Sequence, residues 1–483
     1  MPRAGAQAGP SVGVTTEGSP AARRGGVRTP DLETPFVFNA DGSRNFLHPA
    51  DVRGRWQRRK NVVYAALIAF YLALPWVSVG GHPAALFDIP RRQAFLFGLA
   101  LTGEDFWLLF FVLSGAGFAL IVATSLWGRV WCGFACPQTV FLEGVFRRIE
   151  RLVEGPRDTR IRRNLGPLTG DKLARKLAKH GIFIALCVAI AHAFLAYFIP
   201  ARELLGIVRA APTEHWTAFL WATVMAALLY FDVAWFREQT CLVVCPYGRF
   251  QSALIDDDSV VIGYDAARGE PRVKATETGG DCIDCRRCVV VCPTGIDIRN
   301  GLQMECVGCS NCVDACDEIM DKLGRARGLI RYDSKRGFDG VRRRFLRPRV
   351  AIYAALGLIG ATVFAVSVAG RAPFEVRALR TRGMPYTFEG DKLRNLFNVR
   401  VENKRAEART FTLRAGPPAG VSPAPEVIVA QGEVTLDGLT DTTVPVFVTL
   451  PASAYREPFP VPLTVTDTAS GRATTIELRV LGP

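Results

Sequence analysis

Twelve of the chain's thirteen cysteines fall into regular clusters, and sulfur at regular spacing is the raw material of metal and redox chemistry. Residues 282–316 read Cys282-x2-Cys285-x2-Cys288-x3-Cys292-Pro293, then Cys306-x2-Cys309-x2-Cys312-x3-Cys316. The unit repeats at a 24-residue interval. Three thiolates at x2 spacing wrap three corners of a [4Fe–4S] cube, and the other run supplies the fourth. One cube would take Cys282, Cys285, Cys288 and Cys316; the second would take Cys306, Cys309, Cys312 and Cys292. Zinc is the weaker reading, because this run is not a usual zinc spacing. Asp317 stands where a proline is expected after the last cysteine, which removes no ligand. Two clusters in series move single electrons.

A second set of thiols lies elsewhere. Trp131-Cys132-Gly133-Phe134-Ala135-Cys136-Pro137 and Cys241-Leu242-Val243-Val244-Cys245-Pro246-Tyr247 share the form Cys-x3-Cys-Pro. Each follows an apolar stretch, as a weak internal repeat would. On a helix, residues i and i+4 face one way, so each pair is expected to present two thiols to one point. Cys132, Cys136, Cys241 and Cys245 then form a four-thiolate candidate site at the membrane edge. Soft thiolates select copper(I), zinc or an iron–sulfur centre. Copper reduction, a third cluster and a redox-active disulfide all stay open. Cys187, alone in an apolar stretch, reads as packing. Haem is disfavoured, since of five histidines only His192 lies well inside an apolar span and His180 falls at the opposite end of the same helix. With 5 methionines the chain is also unlike a Met-rich copper relay.

The elements that must position these thiols are membrane helices. Hydrophobic residues make up 49% of 483 residues and charged residues 22%, which excludes both an ordinary soluble enzyme and a bare membrane bundle. Five apolar stretches approach the ~20 residues a span needs. They are residues 62–79, 106–127, 181–199, 216–236 and 349–369. Lys and Arg number 10, 12 and 18 in residues 3–60, 128–180 and 237–348, against 2 and 2 in the alternate loops. The positive-inside rule therefore puts the N-terminus and both large loops in the cytoplasm and the C-terminus across the membrane. A cytoplasmic loop also disfavours disulfides. This placement accounts for the net charge of +14 without nucleic acid. The first stretch starts too far into the chain, and is too long, for a cleavable signal.

The expected organisation follows. Residues 1–45 are a disordered cytoplasmic segment, and 46–255 a four-helix membrane domain with both Cys-x3-Cys-Pro motifs. Residues 256–345 form a cytoplasmic ferredoxin-like insert, and 346–370 a fifth transmembrane helix. Residues 371–483 alternate apolar and polar positions between Gly/Pro turns, which predicts a periplasmic, all-β, immunoglobulin-like sandwich. The fold class is thus an α-helical polytopic membrane protein with a two-[4Fe–4S] insert and a β-sandwich tail.

This arrangement resembles the FixG/CcoG (RdxA) family of cytochrome oxidase accessory proteins. The stretches that carry the resemblance include Leu86-Phe87-Asp88-Ile89-Pro90, Gly128-Arg129-Val130-Trp131-Cys132-Gly133, Cys136-Pro137-Gln138-Thr139-Val140, Arg249-Phe250-Gln251 and Cys292-Pro293-Thr294-Gly295-Ile296-Asp297-Ile298-Arg299. Tyr247-Gly248 departs from the Trp-Pro often found there. The resemblance implies a Gram-negative inner-membrane protein with two [4Fe–4S] clusters. It further implies reduction of Cu(II) to Cu(I), copper being the substrate, for assembly of a high-affinity cytochrome c oxidase. Expected partners are the bilayer, oxidase subunits or copper chaperones, and a cytoplasmic electron donor. A quinol-linked electron-transfer subunit and a redox-sensing assembly scaffold are the rival readings.

Overall fold

The computed structural model describes residues 46–275, 277–380, 383–418 and 421–483. The expected disorder of residues 1–45 lies outside the described residues. Five long helices run through the chain: α1 Arg55–Ala73, α2 Trp107–Trp127, α3 Gly170–Leu195, α4 Trp216–Phe231 and α5 Pro348–Ala369. A π-helical turn, Asp232–Phe236, prolongs α4. Among the described residues four of these are long and apolar enough to cross a bilayer, with mean hydropathy of 2.2, 1.8, 1.7 and 2.1 for α2, α3, extended α4 and α5.

The first predicted span differs from the expectation. Its helix begins seven residues earlier, and Arg55, Arg58, Arg59 and Lys60 load the first turns, so α1 falls short on apolarity. It nonetheless runs the length of the bundle. Near its start Trp56 stacks on Tyr332 of the cysteine-rich insert, with ring centroids 4.8 Å apart. Near its end Tyr71 donates to the Ile190 carbonyl at 3.3 Å and accepts from the Tyr197 hydroxyl at 2.7 Å, beside the far end of α3. α3 is longer than predicted because Lys172, Arg175, Lys176 and Lys179 continue the same helix beyond the apolar stretch, behind a Thr169 N-cap. α2 lies along α5, and α3 along α4.

The insert closes on an antiparallel pair, Val261–Tyr264 with Ile330–Asp333. Its small core joins Ile262, Val289, Ile298, Val313 and Ile330. The tail is the predicted sandwich, built from two antiparallel sheets. One orders the strands Glu426–Val429, Asp441–Pro451, Lys392–Asn403 and Phe374–Arg380. The other orders Glu433–Leu436, Arg409–Ala415, Phe459–Asp467 and Ala473–Val480. Phe397, Val399 and Val401 alternate inward, with Phe397 opposite Val446 and Val399 opposite Val444. An unpredicted three-stranded sheet fills the loop before α2: Ala85–Asp88, Gln93–Leu96 and Leu99–Leu101.

Candidate iron–sulfur and thiol sites

Each cysteine run folds as two left-handed backbone corners. Asp284 and Arg286 have φ of 51° and 52°, and Gly308 and Ser310, at the matching positions one repeat later, have 64° and 62°. Three of these four residues carry a Cβ, which ordinarily disfavours that region. Their recurrence shows that the repeat in sequence is also a repeat in backbone, a tight wrap that turns successive N–H groups toward an enclosed centre. Cys282, Cys285, Cys288 and Cys316 line one small cavity, walled by Ile319, Met320 and Leu329. Cys292, Cys306, Cys309 and Cys312 line a second, walled by Ile262, Ile296 and Ile298, with Cys288 on its border.

Burial pushes the thiols of Cys288, Cys309 and Cys316 up to about 12 and that of Cys306 to about 11. Burial outweighs the nearby cations Arg299, Arg129 and Lys60, so thiolates there call for a metal to compensate their charge, which a buried four-sulfur cage is suited to hold. The donor chemistry, the apolar walls and the wrapped loops all fit a [4Fe–4S] cube. Among the described residues no three His, Cys, Asp or Glu side chains converge tightly enough for a single ion. All thirteen cysteines, every one among the described residues, are free thiols.

The Cys-x3-Cys-Pro motifs depart from the expected helix. Cys132 lies in the short helix Val130–Phe134, but Cys136 is extended (φ −63°, ψ 126°) and caps a new helix that opens on Pro137. Cys241 lies in a π-helical turn, Thr240–Val244, and Cys245 is likewise extended (φ −66°, ψ 112°) ahead of Pro246. The proline ring excludes helical backbone at the residue before it, so the helix breaks at the second cysteine of each pair. The thiols are brought together by this corner and not by a shared helix face. Cys132 lies within electrostatic reach of Cys136 and Cys245, and Cys241 within reach of all three others. Burial raises the Cys132 and Cys241 thiols to about 12.

Side chains tie the two motifs together. Gln251 is buried; its Oε1 lies 3.9 Å from the Cys132 sulfur, and its Nε2 donates to the Gly248 carbonyl at 2.9 Å. Gln138 donates to Asp232 at 3.1 Å and to the Arg237 carbonyl at 3.0 Å. At the departing Tyr247-Gly248 step, a Cβ on Gly248 would approach the Cys241 carbonyl oxygen to 2.8 Å, and the Tyr247 hydroxyl pairs with Thr124 at 2.6 Å. Cys187 is buried with Phe146, Phe183 and Val233, away from both sites, as packing requires.

The two sulfur sites abut. Gly133, between Cys132 and Cys136, lies against Gly308, between Cys306 and Cys309, so closely that a Cβ on Gly133 would meet the Gly308 oxygen at 2.4 Å. The Arg129 guanidinium donates to the Cys306 carbonyl at 2.8 Å and to the Gly248 carbonyl at 3.2 Å, joining both motifs to the insert. Arg129 and Gly133 sit in the Gly128–Gly133 stretch, but nothing in their spacing marks Gly308 as their partner. On the far side Lys60, 2% exposed, donates to Asn311, beside Cys309 and Cys312.

Comparison with known proteins agrees with this architecture. Family models described as "4Fe-4S dicluster domain", "4Fe-4S binding domain" and "IG-like fold at C-terminal of FixG" match residues 236–335, 108–156 and 364–483. The nitrogen fixation protein FixG of Rhizobium meliloti is 34% identical, over 88% of this chain and 91% of its own. RdxA of Cereibacter sphaeroides is 37% identical, over 79% and 85%. RdxB of the same organism is 33% identical, over 80% and 84%. Apolar helices, iron–sulfur domains and a β-sandwich tail in this order describe a membrane-bound iron–sulfur electron-transfer protein, and the chain belongs to the FixG/RdxA family.

Proposed function

We propose that the chain is a cupric reductase, taking electrons from a cytoplasmic donor and passing them singly to Cu(II) held by Cys132, Cys136, Cys241 and Cys245. The eight cysteines of the insert hold two clusters, which when bound supply reversible one-electron storage. The observation that carries the reading is the contact of Gly133 with Gly308, bridged by Arg129. It leaves only backbone between a cluster-ligand loop and the membrane-edge thiols. Thiolate sulfur favours Cu(I) over Cu(II), so binding at this site drives the reduction forward. A substrate that arrives and leaves needs no closed single-ion cage. The Cu(I) product would go to chaperones or subunits assembling a high-affinity cytochrome c oxidase. In this reading the insert faces the cytoplasm and the tail the periplasm, as the loop charges favour.

Replacing Cys132 and Cys136 together with serine should abolish Cu(II) reduction while visible absorbance and iron content stay intact. Normal reduction by that variant refutes the site. A second reading has its own support. The "4Fe-4S binding domain" match covers residues 108–156, where Cys132 and Cys136 are the only cysteines. Those thiols would then help hold a third cluster in an electron relay. Iron analysis of anaerobically purified protein separates the two: about eight iron per chain for two cubes, about twelve for three.

A further inference from the structure

On the side of the bundle that carries the insert, the start of α1, the helix Arg147–Glu154 and Asn311 enclose a cavity of about 620 Å³. Its wall carries seven cationic side chains against one carboxylate, Glu143. Arg147, Arg151 and Arg160 have acidic partners in Glu143 and Glu238, Asp51, and Glu150. Among the described residues Lys60 and Arg148 hydrogen-bond to amide oxygens, those of Asn311 and Asn61, and Lys60 also feels the Cys309 sulfur. The Nε–H groups of Arg147 and Arg160, both buried, also lack partners among the described residues. With seven cations facing one carboxylate and two buried guanidinium N–H groups unpaired among the described residues, the cavity wall is short of negative charge and of hydrogen-bond acceptors.

We propose that this cavity binds a phosphate-bearing anion, its oxygens taken by Arg58, Lys60 and Arg148. Guanidinium forks and an ammonium match a phosphate's several acceptor oxygens. The size suits a headgroup or a small phosphorylated solute. Exposed leucines surround the basic helices: Leu152 is 82% exposed, Leu165 68% and Leu168 73%. Basic side chains beside uncovered apolar ones mark a membrane interface, so an anionic phospholipid is the nearer source of phosphate, ahead of free phosphate in solution. The site is independent of what the membrane-edge thiols hold.

The test uses the full chain, delipidated in a neutral detergent, with thermal unfolding and native mass spectrometry as readouts. The probes are phosphatidylglycerol, phosphatidylcholine and inorganic phosphate. Phosphatidylglycerol should bind and raise the unfolding temperature, and added salt should weaken it. The double variant Arg58→Gln/Arg148→Gln spares the buried Lys60, Arg147 and Arg160 and should keep its iron. Its affinity should fall about tenfold or more, the loss expected for charge-assisted hydrogen bonds. Stabilisation by inorganic phosphate that the variant loses supports the same site with a soluble ligand. Equal binding of phosphatidylcholine, insensitivity of the wild-type protein to salt, or undiminished binding by an iron-replete variant overturns the proposal.

Discussion

A side chain on Gly133 would have to displace the Gly308 carbonyl, which lies 2.4 Å from where its Cβ would stand. Gly308 is itself fixed in the left-handed region at φ 64°, with the Arg129 oxygen 2.8 Å from its own would-be Cβ. Two glycines thus let two sulfur-bearing loops touch through backbone alone. Gly133→Ala should force these loops apart. We expect a loss of about 1–3 kcal/mol from overpacking. Iron content should be retained, and electron transfer from the reduced insert to Cu(II) should slow in rapid-mixing experiments. Unchanged transfer with a confirmed shift of the loops would remove this contact from the route. The eight cysteines of the insert were legible in the sequence because ligand spacing is local. The glycine contact was not, because it depends on residues about 175 positions apart being folded together.

At the scale of elements, both Cys-x3-Cys-Pro motifs place a proline just beyond a helix end, and the broken chain must be anchored by something other than helix continuity. A buried charge network does this. Glu150 pairs with Arg237, with Arg160 at 3.3 Å and with Lys179 at 3.9 Å, linking the helix after the first motif to α3 and to the chain entering the second. Burial works against the Glu150 carboxylate, yet Arg237, Lys179 and Arg160 outweigh it and hold the carboxyl down to about 2. A carboxyl depressed on folding contributes stability above its ordinary value near 4.5, and that stability is lost as pH falls from there through about 2. Glu150→Gln should therefore remove about 3–5 kcal/mol at neutral pH, the cost of breaking a buried pair from one side. It should also flatten the acid limb of a detergent-solubilised unfolding profile in that window. An acid limb identical to wild type would mean the network adds no net stability. The long helices were legible from apolar runs alone. The helix break at the second cysteine could have been read from Pro137 and Pro246. The network could not, since charged residues in a basic loop look solvated until folding buries them.

α2 carries the geometry of the whole molecule. Asp105, just before its start, holds the tail, and Arg129, just after its end, touches the insert, so the two modules sit at opposite ends of a 21-residue apolar helix. Such a helix is about 30 Å long, the thickness of a hydrocarbon core. The tail is docked as well as tethered. Asp105, 5% exposed, accepts from Lys404 at 3.0 Å and pairs with Arg371, while Thr102 donates to it at 3.1 Å. Beside this clamp Leu439 packs on Leu86 and Phe95 of the small three-stranded sheet, and Gln93 donates to the Leu439 carbonyl at 2.6 Å. Short strands with few alternating positions hid that sheet in the sequence, although Leu86-Phe87-Asp88 lies within it. Asp105→Asn keeps the shape and removes the charge that Arg371 and Lys404 share. The sandwich should stay folded, because its core of Phe397, Val399, Val446 and Leu463 is its own. Docking should loosen: amide exchange should rise across residues 85–101 and around Leu439, while the sandwich core stays protected. If copper delivery to an oxidase depends on where the tail is held, oxidase assembly should fall in this variant with reductase activity unchanged. Exchange that rises throughout the sandwich instead would show that the clamp stabilises the tail's fold and not its position.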